Sequence, residues 1–151
     1  MTCFDTAYVV KCYVKEHGWQ QVRALARSSE RLACSAFGRL EFHAALHRKL
    51  REGTLDGPQL DVILRQLSVD EAARLWSWIP LSTAIMNAVT DTFTRLPGHV
   101  YLRTADAVHL LSARAYGCTE IYSNDWHLLQ AARHVGMTGR DVIDPPAIPP
   151  S

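Results

Sequence analysis

Short apolar runs alternate with stretches of helical periodicity along the whole of this 151-residue chain, and few architectures accommodate such an order. Residues 1–6, 31–35, 78–81 and 120–123 read as strands, with 141–144 as a candidate fifth. Between them, 7–14, 19–27, 36–51, 59–76, 82–96, 104–116 and 126–135 read as helices. The segment 36–51 is the best defined: Phe37, Leu40, Glu41, Ala44, Ala45 and Leu50 recur at helical intervals, Ser35 caps it and Gly53 stops it. Thr104 and Asp125 are expected to cap two later helices. Ser68-Val69-Asp70-Glu71 is a candidate break within 59–76. Strands interleaved with helices predict an α/β fold with a mainly parallel sheet and right-handed crossovers. One domain is expected over 1–144, followed by a Pro-rich tail, 145–151, read as an extended end.

The composition is 48% hydrophobic and 21% charged, close to the globular average, which excludes a disordered or collagen-like chain. No apolar run approaches the roughly 20 residues that cross a bilayer. The opening Met1-Thr2-Cys3-Phe4-Asp5 lacks a basic n-region, so no secretory leader is expected and a cytoplasmic location follows. Cys3, Cys12, Cys34 and Cys118 show neither a C-x-x-C pair nor zinc spacing, and are read as reduced, mostly buried small hydrophobes. A formal net charge of +1 does not by itself advertise a polyanionic partner.

The acidic residues carry more information than their number suggests. In an open parallel sheet, ligands bind beyond the carboxyl ends of the strands. Asp5 ends the first strand and Asp125 follows the fourth, so adjacent strands would bring their carboxylates together. Each also has a local explanation, as a helix N-cap. Glu41 and Asp106 lie in otherwise apolar helical stretches, Leu40-Glu41-Phe42 and Ala105-Asp106-Ala107, where a lone carboxylate is costly to bury. Asp106 can be excused by the helix macrodipole of a first turn; Glu41 cannot. With no Arg or Lys in their immediate sequence, four converging carboxylates repel one another and are stable only when protons or divalent cations neutralise them. All-oxygen ligands select Mg2+ or Mn2+ over zinc.

Asp5-Thr6, Glu41, the run Arg103-Thr104-Ala105-Asp106-Ala107-Val108-His109-Leu110 and Ser123-Asn124-Asp125 together resemble the acidic motifs of PIN-domain nucleases. The likeness is nearest to the VapC-type ribonuclease toxins of toxin–antitoxin operons, and it extends from Asp5 to about Ile143. It implies a three-layer α/β/α fold with a four- to five-stranded sheet in the order 3-2-1-4-5. It also implies that Asp5, Glu41, Asp106 and Asp125 bind Mg2+ or Mn2+, that Thr6 and Ser123 support them with hydroxyls, and that Asn124 precedes the last acid as in many members. The activity implied is metal-assisted hydrolysis of RNA phosphodiester bonds. Transfer or ribosomal RNA is the implied substrate, and a cognate antitoxin and a second copy of the chain are the implied protein partners. The antitoxin groove is expected on the apolar helical hairpin 36–76.

With the four site acids set aside, eleven acids face sixteen bases on the rest of the chain, a surplus suited to guiding a polyanion. Arg103, Arg95, Arg48 and Lys49 are candidate phosphate contacts, against the simpler reading of solvated helix surface. His109, three residues after Asp106, either orients that acid, contacts RNA or is a hydrogen-bonded core residue. His43 and His47 have zinc-like spacing without the H-E-x-x-H order and are read as surface. Trp76, Trp78, Phe93 and Tyr101 are read as core or interface aromatics, with base stacking as the alternative. Serine-hydrolase and nucleotide-loop motifs are absent. The competing functional class is a catalytically silent PIN-like module that binds RNA or protein.

Overall fold

The structure, a computed structural model, describes residues 1–143. The tail expected at 145–151, and Asp144, lie outside the described residues. Five strands and seven helices follow in the order β1 (Thr2–Cys3), α1 (Thr6–Tyr13), α2 (Trp19–Ser28), β2 (Leu32–Ser35), α3 (Ala36–Arg51), α4 (Gly57–Ala72), β3 (Trp76–Ile79), α5 (Thr83–Arg95), α6 (Thr104–Ala115), β4 (Glu120–Tyr122), α7 (Trp126–Ala132) and β5 (Thr138–Arg140). A 3-10 turn, Arg133–Val135, separates α7 from β5. No described helix is long and apolar enough to cross a membrane.

Every ladder is parallel. β1 pairs with β2 through Thr2 to Leu32, β2 with β3 through Leu32 to Trp76, and β4 with β5 through Glu120 to Thr138. The two ladders meet where Phe4 bridges Tyr122 and the Asp5 N–H donates to the Tyr122 carbonyl at 3.1 Å. All four residues of β2 are buried, as expected of a strand covered on both faces. Alternate side chains accordingly enter different cores. Cys3 and Ala33 pack with Ile79, Val89, Leu110, Ile121 and Leu128, whereas Phe4, Leu32 and Cys34 pack with Val9, Phe42, Leu46, Ile63 and Trp76. Helices α5 to α7 cover one face and α1 to α4 the other.

Several sequence expectations need correction. Helix α4 ends at Ala72 rather than near Trp76, because Arg74 takes a left-handed φ of 57° that ends the helical turn and turns Leu75 toward the sheet. β3 therefore starts at Trp76, two residues earlier than expected, and Ser68 to Glu71 stay helical. β5 is Thr138–Arg140, and Asp141 to Ile143, the described part of the expected strand 141–144, lie outside it. There Tyr8 Oη donates to Asp141 Oδ1 at 2.7 Å and accepts from the Val142 N–H at 2.8 Å, so that segment is held on α1 instead of pairing in the sheet. Cys3 and Cys118 are joined as a disulfide with Cα atoms 6.6 Å apart, while Cys12 and Cys34 are free. Reading all four as thiols fails because 115 residues separate the bonded pair, and only the approach of β1 to the α6–β4 turn brings them together.

Candidate functional site

Parallel strands place their carboxyl ends on one edge, and there β1, β2 and β4 hand over to helices through polar caps. Asp5 caps α1, accepting from the Tyr8 N–H at 3.0 Å. Ser35 caps α3. Asp125 caps α7, accepting from the His127 and Leu128 N–H groups at 2.8 and 3.2 Å. The local cap readings of Asp5 and Asp125 therefore hold, and each uses Oδ1 for the cap, leaving Oδ2 for other partners at the edge. Thr104 does not cap α6. Arg103 occupies that position without a side-chain cap bond, and its guanidinium goes elsewhere.

Two linked networks gather the acids. In the first, Ser123 Oγ donates to Asp5 Oδ2 and accepts from the Asp125 N–H at 2.9 Å. Arg103 then spans Asp125 and Asp106: Nε lies 2.8 Å from Asp106 Oδ2, and Nη2 pairs with Asp125 Oδ2. In the second, Thr6 Oγ1 donates to Glu41 Oε1 at 2.7 Å, and buried His109 donates from Nε2 to the same oxygen at 2.7 Å. Thr6 Oγ1 also lies 3.0 Å from His109 Nε2, and Cys34 Sγ lies 3.9 Å from His109 Nδ1.

The acids have no Arg or Lys in their immediate sequence, but the fold supplies two basic partners, Arg103 and His109. Arg103 lies about one helical turn before Asp106, so its side chain folds back over the helix end onto the carboxylate. His109 serves Glu41, not Asp106: it is the hydrogen-bonded core histidine. Glu41 is half-buried and supported in this way, which accounts for an acid between exposed Leu40 and buried Phe42.

Burial sets the proton affinities of these groups, and partners then modify them. Asp5, only 5% exposed, has its pKa raised by burial, against the opposing pull of the Ser123 and Tyr8 hydrogen bonds. Burial also pushes Glu41 up, but the His109 and Thr6 hydrogen bonds outweigh it and leave the carboxyl below its ordinary value. For His109, burial disfavours the imidazolium, yet hydrogen bonds to Cys34 and Glu41 prevail and hold its pKa up at about 10. The His109 and Asp106 charges act on Asp5, and Arg103 acts on Glu41, so the two networks share one electrostatic neighbourhood.

The close contact between α3 and α6 rests on Gly38. A Cβ there would meet Cys34 Sγ at 2.4 Å, His109 Cε1 at 3.0 Å and Thr6 Oγ1 at 3.2 Å. A lone glycine inside a strong helical pattern is the one sequence signal of this close packing.

The remaining expected residues are scattered. Asn124 is exposed between Ser123 and Asp125. Arg48 and Lys49 lie roughly 10 to 12 Å along the α3 axis from Glu41, and Lys49 is committed to Glu16 Oε2 at 2.8 Å. Arg95 lines a separate cavity of about 270 Å3 with Asp91, Arg114 and His134. Both His43 and His47 are exposed. Trp76 and Trp78 stack at 5.2 Å and donate their indole N–H groups to Tyr13 Oη and Glu71 Oε1, as core aromatics do.

Among the described residues, no three His, Cys, Asp or Glu side chains gather closely enough to hold a metal ion. The donor set nonetheless fits a hard divalent cation: all four acids offer oxygens, and Asp5 is buried without an ion-pair partner among the described residues. Arg103 is 54% exposed, and ion pairs at such exposure contribute only about 0.2 to 1 kcal/mol each.

Fold and site thus define a mixed α/β protein with parallel strands and three carboxylates, Asp5, Asp106 and Asp125, tied together at one sheet edge. Among solved structures, this fold is similar to FitAcB from Neisseria gonorrhoeae, with a TM-score of 0.63 at 16% identity, over 92% of this chain and 96% of that one. No family model and no curated protein matches the sequence.

Proposed function

We propose that this chain is a PIN-type, Mg2+- or Mn2+-dependent endoribonuclease that acts as a VapC-like toxin in the cytoplasm. The observation carrying this reading is the chain of bonds that joins Asp5, Asp125 and Asp106 through Ser123 and Arg103, with Glu41 held by Thr6 and His109 in the same electrostatic neighbourhood. The meeting of the two ladders at Phe4 and Tyr122 supports the sheet order 3-2-1-4-5 that goes with it.

In this reading Asp5, Glu41, Asp106 and Asp125 hold the cation, which supplies Lewis acidity and positive charge at the scissile phosphate. The chain's own groups do the rest. Ser123 fixes the Asp5 carboxylate and Thr6 that of Glu41. His109, bonded to Glu41, keeps that acid ionised and aimed. Arg103, released from Asp106 and Asp125, is free to bind a phosphate oxygen of the RNA.

A second copy of the chain and an antitoxin complete the proposal. For the antitoxin, expected on the hairpin 36–76, the groove of about 400 Å3 that suits an amphipathic helix takes only α4 and the residues that follow it from that hairpin and is completed by α1 and α2, with Tyr13, Ala26, Val62, Ile63 and Leu75 in its lining. The decisive experiment is incubation of transfer and ribosomal RNA with the protein and Mg2+, Mn2+ or EDTA, beside Asp5→Asn. Metal-dependent fragments that vanish in a folded variant are expected. Undiminished cleavage by that variant would sink the proposal.

One observation favours the rival reading of a silent binding module: Arg103 already neutralises two of the acids. The two part on thermal stability, since a ligand that binds the folded state raises the midpoint. Mn2+ raises it for a nuclease centre and leaves it unmoved for a silent module.

A further inference from the structure

Away from the acids, three basic side chains from three elements line one cavity. Arg95 and Arg114 stand in the last turns of α5 and α6, and His134 comes from the 3-10 turn after α7. With Asp91 they line a space of about 270 Å3, and buried Leu111 and Val135 form part of its wall. Arg114 is eight residues beyond Asp106, roughly 12 Å along the axis of α6. None of Asp91, Arg95, Arg114 and His134 makes a side-chain ion pair or hydrogen bond among the described residues. That includes Asp91 and Arg95, although their spacing of four allows a helix to pair its charges. The surroundings are basic too. Apart from Arg103 and Asp106 at the acid edge, the segments 83–119 and 126–137 carry one acid, Asp91, against Arg95, Arg114 and Arg133.

We propose that this cavity binds a phosphate group, as the free ion or at the end of a nucleotide. A helix macrodipole accounts for one base at each helix C-terminus. It does not account for two guanidiniums and an imidazole on one cavity with no acid engaged. Like charges gathered in this way are relieved by a counter-anion, and the apolar wall strengthens the attraction by keeping water from one side. The arginine fork matches phosphate oxygens. Donors from three elements suit a tetrahedral group, whose oxygens point in several directions, better than a planar carboxylate. The volume falls below the roughly 300 to 1,000 Å3 of pockets that enclose drug-sized ligands, so the phosphate enters and any attached nucleoside stays outside. Asp91 opposes the anion and moderates the affinity. The site needs neither metal nor cleavage and is independent of the nuclease reading.

The test is calorimetric titration of the full chain with inorganic phosphate in EDTA, at an ionic strength held constant with chloride. One saturable site is expected. Arg95→Ala and Arg114→Ala should each weaken it about tenfold or more, since each removes a hydrogen bond to a charged group. Arg95→Lys recovers part of the loss, because the charge returns without the fork, and Asp91→Asn binds more tightly. These side chains are exposed, so the variants are expected to stay folded. Arg103→Ala and Asp5→Asn should bind phosphate as the original protein does, which separates the cavity from the acid edge. A nucleoside monophosphate that binds more tightly than phosphate identifies a nucleotide, and equal binding identifies the free ion; both uphold the site. Heat no greater than that of a chloride control overturns it. So does binding that survives when Arg95→Ala and Arg114→Ala are combined, or that vanishes with Arg103→Ala. Mn2+-dependent cleavage is scored separately, and its absence sinks the nuclease while leaving the phosphate site standing.

Discussion

Arg103 grips Asp106 and Asp125 at once, joining the first turn of α6 to the cap of α7. Three residues separate it from the first acid and 22 from the second, so half of this clamp is local and half is tertiary. With the guanidinium 54% exposed, each pair contributes little. Together the two pairs hold α6 and α7 to each other at this edge.

Arg103→Ala should therefore separate stability from metal affinity. Without the clamp, Asp106 and Asp125 repel, and the metal-free protein loses about 1 to 2 kcal/mol, or roughly 2 to 8 °C in midpoint. Added Mn2+ raises the variant's midpoint further than it raises that of the original protein, since no guanidinium competes. Differential scanning fluorimetry with an Mn2+ titration checks this. An equal or smaller Mn2+ shift in the variant refutes competition.

His109 makes stability depend on alkaline pH. Its folded pKa of about 10 exceeds the ordinary value of 6.5, so its contribution is fully present below about 6.5 and is lost as pH rises toward 10. Glu41 behaves oppositely: its lowered value gives stability above the ordinary carboxyl range that disappears in acid. Melting curves from pH 6 to 10 should fall for the original protein, by on the order of 1 to 3 kcal/mol, and should be flatter for His109→Gln. Parallel curves for the two proteins would exclude His109 as the cause.

Gly38→Ala should cost about 1 to 3 kcal/mol by overpacking the α3–α6 contact. Its new methyl meets Cys34 Sγ first, at 2.4 Å. Urea denaturation of Gly38→Ala, Cys34→Ala and the double variant gives the coupling. The double variant is expected to be more stable than the two single losses predict. Simple additivity would mean that the sulfur is not what the methyl strikes.

Cys3 and Cys118 close a loop of 115 residues, for which chain entropy predicts a contribution of up to about 4 to 5 kcal/mol. Dithiothreitol should lower the midpoint of the original protein and leave that of Cys3→Ser unchanged. Mass spectrometry under non-reducing conditions should find the two cysteines in one linked peptide. Free thiols at both positions in the oxidised, folded protein would contradict the bond.

The sequence was most informative where a signal is local. Ser35, Asp5 and Asp125 announce helix starts because a capping oxygen binds an N–H two or three residues on, and all three cap as expected. The acids Asp5 and Asp125 were legible as strand-end residues, and Glu41 and Asp106 as carboxylates out of place among apolar neighbours. β5 was misplaced because Thr138-Gly139-Arg140 has no apolar alternation. Pairing with Glu120 to Tyr122 makes it a strand.

The alternation of apolar runs and helical periods was enough, by itself, to determine an α/β chain with parallel strands, since a strand and a helix each declare their period within a few residues. The partners of the acids were decided only by the tertiary structure. Arg103 reaches Asp125, His109 reaches Glu41 across 68 residues, and Cys3 reaches Cys118 because separate elements pack on one sheet. A sequence records what each side chain can bond to, whereas packing chooses among those bonds, and the electrostatics of a buried site depend on the choice.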